Sequence, residues 1–133
     1  MDIKSAELGA GWKIDPAWKP SDNAGTRPGF VNVPMLVATE PGATLTLKFD
    51  GTAVGIFVAS GPDAGTVEYR IDGGPFRPQD LFTAWSATLH LPWAFVLKGE
   101  LAPGRHALEL RVAPTANAKS KGHAVRIAFF LVN

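Results

Sequence analysis

The stretch GIFVASGPDAGTVEYRIDGG, residues 55–74, decides the fold class of this 133-residue chain. Its apolar run, residues 56–59, lies between glycines and is too short for a stable helix, although it suits a buried strand. Residues 60–65 form a polar turn in which Gly-Pro and an aspartate break regular structure. Beyond the turn, apolar and charged side chains alternate with a period of two: Val67, Tyr69 and Ile71 against Glu68, Arg70 and Asp72. The stretch predicts two strands joined by a corner, at the centre of an all-β domain.

The second of these strands ends in Asp72-Gly73-Gly74, which is typical of a two-residue hairpin turn. We expect at least one of the two glycines to have a positive φ, because such turns require it. Residues 76–82 follow, and Pro78 within them argues against a central strand. That segment is predicted to be a loop or a ragged sheet edge.

Composition excludes several classes of protein. The 13 Lys and Arg nearly balance the 12 Asp and Glu, and only Lys119 and Lys121 lie close together, which argues against a nucleic-acid partner. The absence of cysteine excludes disulfides and cysteine-zinc sites. No apolar run approaches the roughly 20 residues that span a bilayer, so no membrane partner is expected. The polar residues 1–7 show no signal peptide.

Working outward, the remaining apolar runs predict further strands punctuated by glycine and proline. Residues 43–49 and 105–112 alternate, whereas residues 52–59 and 123–132 are apolar on both faces and are expected to be central. Residues 30–38 contain Pro34, which indicates an edge strand or a bulge. We predict a single domain over residues 1–133, a jelly-roll-like β-sandwich of about eight antiparallel strands in two sheets.

Residues 1–30 are the least regular part, and we predict an arm packed on the sandwich with one short strand at residues 11–14. The arm contains Trp12 and Trp18 among several prolines and glycines. Two interpretations stay open for these indoles: they pack the arm against the sandwich, or they form an exposed aromatic platform.

Residues 85–97 are ambiguous. One parity is apolar throughout and predicts a core-facing row that includes Trp93: Leu89, Leu91, Trp93, Phe95 and Leu97. Pro92, however, is a place where a bulge would reverse the faces that follow it. Parity alone predicts that Trp93 is buried.

No catalytic motif is present. The chain has neither a G-x-S-x-G elbow nor a Gly-Asp-Ser block, and nothing near Ser60 marks a base. The histidines, His90, His106 and His123, fall on separate predicted strands without metal-ligand spacing. His106 is expected at a strand start with a hydrogen bond, and His90 at the surface. We therefore expect no catalytic residues, no metal and no cofactor.

Three carboxylates remain, and all lie at turns or strand ends: Asp63, Asp72 and Asp80. Capping of backbone N–H groups is the simplest role for them. A structural Ca²⁺ is the alternative, although no calcium-loop spacing is present.

Aromatic residues suggest a ligand-binding role. Flat C–H faces of sugars stack on indoles while polar side chains bind the hydroxyls. Trp85 lies in a turn region, where it either is exposed as a stacking surface or closes the end of the sandwich. The predicted ligand-binding set joins Trp85 with four polar side chains: Arg70, Arg77, Asp80 and His90.

A longer pattern resembles an accessory β-sandwich module found after the catalytic domain in some bacterial SGNH/GDSL-type hydrolases, including carbohydrate esterases. It covers nearly the whole chain, in GWKIDPAWKP (11–20), GTRPGFVNVPMLVA (25–38), GIFVASGPDAGTVEYRIDGGPF (55–76), DLFTAWSATLHLPWAFVL (80–97), LAPGRHALELRV (101–112) and GHAVRIAFFLVN (122–133). The family's catalytic serine, oxyanion donors and Asp-x-x-His pair belong to the other domain and have no matching positions here. The resemblance implies a non-catalytic module of an exported esterase, secreted or periplasmic.

Two functional hypotheses follow. In the first, the chain is a carbohydrate-binding-type module that positions an SGNH esterase on polysaccharide. In the second, it packs on the SGNH domain and shapes its substrate cleft without binding sugar itself. A narrow groove with one or two exposed indoles favours the first, and a broad apolar patch favours the second.

Overall fold

Strands dominate the computed structural model, which describes residues 1–27 and 29–133. Pro28, part of the predicted arm, lies outside the described residues. A 3₁₀ helix spans Ile3–Ser5, and the strands are β1 (Glu7–Leu8), β2 (Lys13–Trp18), β3 (Gly25–Thr26), β4 (Val33–Ala38), β5 (Thr44–Asp50), β6 (Val54–Ser60), β7 (Thr66–Ile71), β8 (Arg77–Asp80), β9 (Leu89–Lys98), β10 (Arg105–Val112) and β11 (Val125–Val132). Within the described ranges no helix is long and apolar enough to cross a membrane.

The strands form two sheets, and the predicted all-β sandwich is confirmed. The five-stranded sheet has the order β1-β5-β10-β7-β8, and the six-stranded sheet has the order β2-β4-β11-β6-β9-β3. Paired strands are antiparallel except for β3, which runs parallel to β9. The main core lies between the sheets, where alternate residues of β5, β6 and β10 are fully buried.

The N-terminal arm is more regular than predicted, because it supplies β1, β2 and β3 rather than one short strand. These strands lie at sheet ends, where they pair with backbone groups that the sandwich alone would leave open. Trp12 and Trp18 are 7% and 6% exposed. The packing interpretation of the two indoles is confirmed, and the exposed platform is wrong for both.

A second, smaller core covers the outer face of the six-stranded sheet. Trp18 packs there on Met35, Val37 and Ala59. Strand β6 lies between β11 and β9, with the main core on one face and this cluster on the other. Its predicted central position is therefore confirmed.

Strand β4 shows how the sheet accommodates Pro34. The strand lies between β2 and β11, so the predicted edge position is wrong. The predicted irregularity is confirmed, because the β2–β4 register shifts between Asp15 and Trp18, opposite Pro34. Pairing with β11 reaches only to Leu36, so no ladder bond on that side needs the missing N–H.

The turn after β7 has the predicted backbone but a longer connection. Asp72 and Gly73 have φ of 52° and 75°, and the N–H of Gly74 donates to Ile71 O at 3.0 Å. The positive φ is confirmed at Gly73. Strand β8 begins only at Arg77, at the edge of its sheet, so the two-residue hairpin is wrong and the ragged edge is confirmed.

His106, at the start of β10, holds this turn in place, as its predicted hydrogen-bonded role requires. Its Nδ1 lies 2.6 Å from Asp72 Oδ2 and its Nε2 lies 2.6 Å from Ala102 O. Both neighbours are acceptors, so the imidazole is best satisfied when both nitrogens carry protons. The hydrogen bond to Asp72 and then that to Ala102 raise the pKa of His106, and the same bond lowers the pKa of Asp72.

We expect this clamp to make stability depend on pH near neutrality. A raised folded-state pKa contributes stability that is full below the unfolded value, about 6.5, and is lost as pH rises through the folded value. Melting temperatures from about pH 5 to about pH 9 should therefore fall more steeply for the wild type than for His106→Gln. Asp72→Asn should flatten the same part of the curve, and an unchanged slope in both variants would contradict the clamp.

Candidate functional site

Two indoles form an exposed aromatic pair at one side of the sandwich. Trp85, in the loop between β8 and β9, is 58% exposed, and Trp93 of β9 is 38% exposed. Their ring centroids are 5.5 Å apart with planes inclined by 33°. The predicted exposure of Trp85 is confirmed, and the interpretation that it closes the end of the sandwich is wrong. Each indole offers a flat apolar face on which a ligand ring can stack.

The predicted burial of Trp93 is wrong, although its side chain does lie on the core-facing side of the sheet, as the alternation predicted. Pro92 causes no register shift, and Trp93 pairs with Val58, whose side chain is buried between the sheets. The shift in β9 comes later, beside Val96. Among the residues that the structure describes, only the two-residue strand β3 lies beyond β9, so Trp93 occupies the open margin of the sandwich, where its inner face stays accessible.

The loop that carries Trp85 is held by a buried hydroxyl pair. Ser60 Oγ donates to Leu81 O at 2.5 Å and lies 2.7 Å from Ser86 Oγ. Ser86 Oγ also accepts from the N–H of Thr83 at 2.8 Å. Ser60 and Ser86 are completely buried. Trp85 therefore lies on a preorganised loop, and Ser60 has a structural role rather than that of a nucleophile.

The four polar residues of the predicted set do not gather around Trp85. Arg70 donates to Glu109 at 2.7 Å and lies over the Phe76 ring. Asp80 accepts from the N–H of Phe82 at 2.9 Å, so it caps the loop as its turn position predicted. Arg77 is exposed on β8.

His90 was predicted to lie at the surface, and that prediction is wrong, because the arm covers it on the outer face of the six-stranded sheet. It is 3% exposed, and its Nε2 lies 2.8 Å from Asp22 Oδ1. Its ring contacts Trp18 edge-on, at a centroid distance of 5.4 Å. Gly61 lies so close to Nδ1 that any Cβ there would collide with the ring. Burial alone would raise the pKa of Asp22, but the hydrogen bond from His90 helps to bring it below its usual value.

Arg126 lies beside His90 and links this cluster to the corner after β6. It donates to both oxygens of Asp63, at 2.8 and 3.1 Å, and to Ala59 O at 3.3 Å. Its guanidinium carbon lies 5.0 Å from the centre of the Trp18 ring. Burial alone would raise the pKa of Asp63, but the hydrogen bonds and charge of Arg126 bring it below its usual value. We call Asp22, Asp63, His90 and Arg126 the polar brace, because their hydrogen bonds connect the elements around the second core.

Neither His90 nor His106 is placed as a general base beside a hydroxyl nucleophile. The His90 and His106 nitrogens face carboxylates, a carbonyl or a guanidinium, and neither faces a hydroxyl. Across residues 1–27 and 29–133, no group of three His, Asp or Glu side chains is placed to hold a metal ion.

An apolar patch lies on the outer face of the six-stranded sheet. Phe129 stacks on Phe57 with centroids 4.7 Å apart and planes inclined by 8°, and Phe30 adds a tilted contact to Phe57. Phe129 and Ile14 are each 40% exposed, and Val96 is 70% exposed. We call these five residues the phenylalanine patch. The sequence did not predict the patch. Strand β11 is apolar on both faces, so its pattern does not show which face is exposed to solvent.

Comparison with solved structures shows a shared fold. A xanthan lyase from Paenibacillus matches 98% of this chain with 18% identity and a TM-score of 0.62, over 12% of its own length. A family two carbohydrate esterase from Clostridium thermocellum, solved with cellohexaose, matches 91% of this chain with 21% identity and a TM-score of 0.53, over 31% of its length. A two-domain esterase active on acetylated mannans, co-crystallised with mannopentaose, matches 96% with 12% identity and a TM-score of 0.59, over 36% of its length.

These neighbours are carbohydrate-active enzymes, and this chain spans only a minor part of each. No protein-family model and no curated protein sequence matches the chain. The fold therefore recurs as a small unit within larger carbohydrate-processing proteins.

Proposed function

We propose that the chain is a non-catalytic carbohydrate-binding-type module that accompanies an SGNH/GDSL-type esterase outside the cytoplasm and positions it on polysaccharide. The observation that carries the proposal is the exposed indole pair: Trp85 lies on a loop held by buried hydrogen bonds, and Trp93 lies beside it on β9. Exposed indoles cost free energy in water unless a partner covers them, and sugar rings are suitable partners. The small share of each neighbour that the fold occupies supports the role of an accessory module.

Truncation of the exposed indole tests this proposal. Titration calorimetry with xylan-derived and other plant oligosaccharides should show Trp85→Ala binding more weakly by about 1–3 kcal/mol, because a sugar ring can no longer stack on the indole face. Its melting temperature should stay within a few degrees of the wild type, because the ring is mostly in solvent.

Trp85→Phe is the matched control, since it retains a stacking face and should keep part of the affinity. A well-folded wild type that binds none of these oligosaccharides would refute the proposal.

The phenylalanine patch favours a second candidate function, in which the module packs on the SGNH domain and shapes its cleft. Such a patch is of the kind that protein interfaces cover. The patch and the indole pair lie on different faces of the six-stranded sheet, because Phe57 and Val58 are successive residues of β6 and alternate between faces. One module can therefore dock by the patch and leave the indoles free. A wild type without sugar affinity would leave docking as the better supported function.

A further inference from the structure

We propose that the module has an anion subsite at the far end of the same open margin, so that its preferred ligand is a saccharide carrying carboxylate or sulfate groups. This inference rests on the proposed sugar-binding function and names its substrate class. The subsite is a small pocket lined by Tyr69, Arg70, Arg77 and Lys98. No aspartate or glutamate is among the described residues that line it.

Strand register brings the two cations of this pocket together from different sheets. Arg77 pairs with Tyr69 on the five-stranded sheet, so both side chains point toward the other sheet. Lys98 pairs with Val54 on the six-stranded sheet, and Val54 is buried between the sheets. The pocket therefore spans the gap between β8 and β9.

Charge balance in the pocket favours an anionic ligand. Arg70 is neutralised by Glu109, at 2.7 Å. The side chains of Arg77 and Lys98 have no hydrogen-bond or ion-pair partner among residues 1–27 and 29–133. Two cations that share a concave site raise the local concentration of anions, and a guanidinium matches carboxylate and sulfate oxygens well.

The pocket is placed for a ligand that also reaches the indoles. Trp93 and Lys98 are carried by one strand and pair with Val58 and Val54, which both face the core. Because of the bulge in β9, these two residues span only four residues of β6, or about 13 Å. A sugar chain that stacks on the indole pair and follows β9 would bring an acidic substituent to Arg77 and Lys98.

Paired ligands that differ only in charge test the inference. The full chain is titrated with tetragalacturonic acid and its methyl ester, and with sulfated and unsulfated xylotetraose. We expect the wild type to bind at least one acidic ligand about tenfold or more tightly than its neutral counterpart. A ratio of this size is what the free energy of one hydrogen bond between charged groups produces. The pair of ligands that shows the preference identifies carboxylate or sulfate as the group that the module recognises.

The double variant Arg77→Gln/Lys98→Gln should bind the acidic and neutral ligands equally. The control Lys13→Gln/Lys19→Gln removes the same charge from the exposed arm and should keep the preference. Neutral binding without any acidic preference, or a preference that survives Arg77→Gln/Lys98→Gln, overturns the anion subsite and leaves the proposed function standing. Absence of all saccharide binding overturns both.

Discussion

Replacing Trp18 with alanine is expected to lower the free energy of unfolding by about 3–5 kcal/mol, the usual cost of removing a large aromatic side chain from a core. The indole is 6% exposed and covers Met35 and Val37. It also contacts the polar brace: the centroid of the His90 ring lies 5.4 Å from that of Trp18, and the guanidinium carbon of Arg126 lies 5.0 Å from the Trp18 ring centre. Its loss would open a cavity and remove the cation–π contact with Arg126, and both effects lower the free energy of unfolding.

Urea denaturation measures this effect, and Trp85→Ala is the matched control. The same truncation at a ring that is 58% exposed should change the free energy of unfolding by less than about 1 kcal/mol. Equal effects of the two substitutions would contradict the assignment of one indole to the second core and the other to a binding surface.

The sequence predicted the fold well where a strand has one buried face and one solvent-exposed face. In β5, Leu45 and Leu47 are buried while Lys48 is exposed, as alternation requires. Strand β10 follows the same rule from Leu108 onward, and in β7 Val67 is buried while Tyr69 and Ile71 are partly buried against the core. A period of two is a local property of the chain, and burial against one opposing sheet translates it directly into structure.

The site was harder to predict because burial at a margin depends on distant parts of the chain. Trp93 has the parity of a core residue, but its exposure depends on where the two sheets end. His90 is buried because the arm places Asp22 and Trp18 over it. Asp22 is 68 residues away from His90 in the sequence. Neither partner stands near it in sequence, so no spacing rule could identify the pair. The neighbourhood of Arg77 and Lys98 likewise arises only from register.

Arg126→Met is expected to cost about 3 kcal/mol at neutral pH, although methionine fills a similar volume. Removal of one partner from a buried ion pair leaves the other charge without compensation, at a cost of about 3–5 kcal/mol. We expect the lower end of that range, because the Asp63 side chain is 39% exposed and water partly screens it. The substitution also removes the donor to Ala59 O, which lies inside the second core.

The effect of Arg126→Met should depend on pH, and this separates the ion pair from simple packing. Arg126 holds the pKa of Asp63 below its usual value, so the pair contributes stability that is full above the unfolded value, about 3.9, and is lost as pH falls through the folded value. The gap between wild type and Arg126→Met in urea denaturation should therefore narrow on acidification. In a double-mutant cycle, Asp63→Asn should couple to Arg126→Met by about 1 kcal/mol or more. A gap that stays constant with pH, together with additive substitutions, would show that Arg126 acts through packing alone.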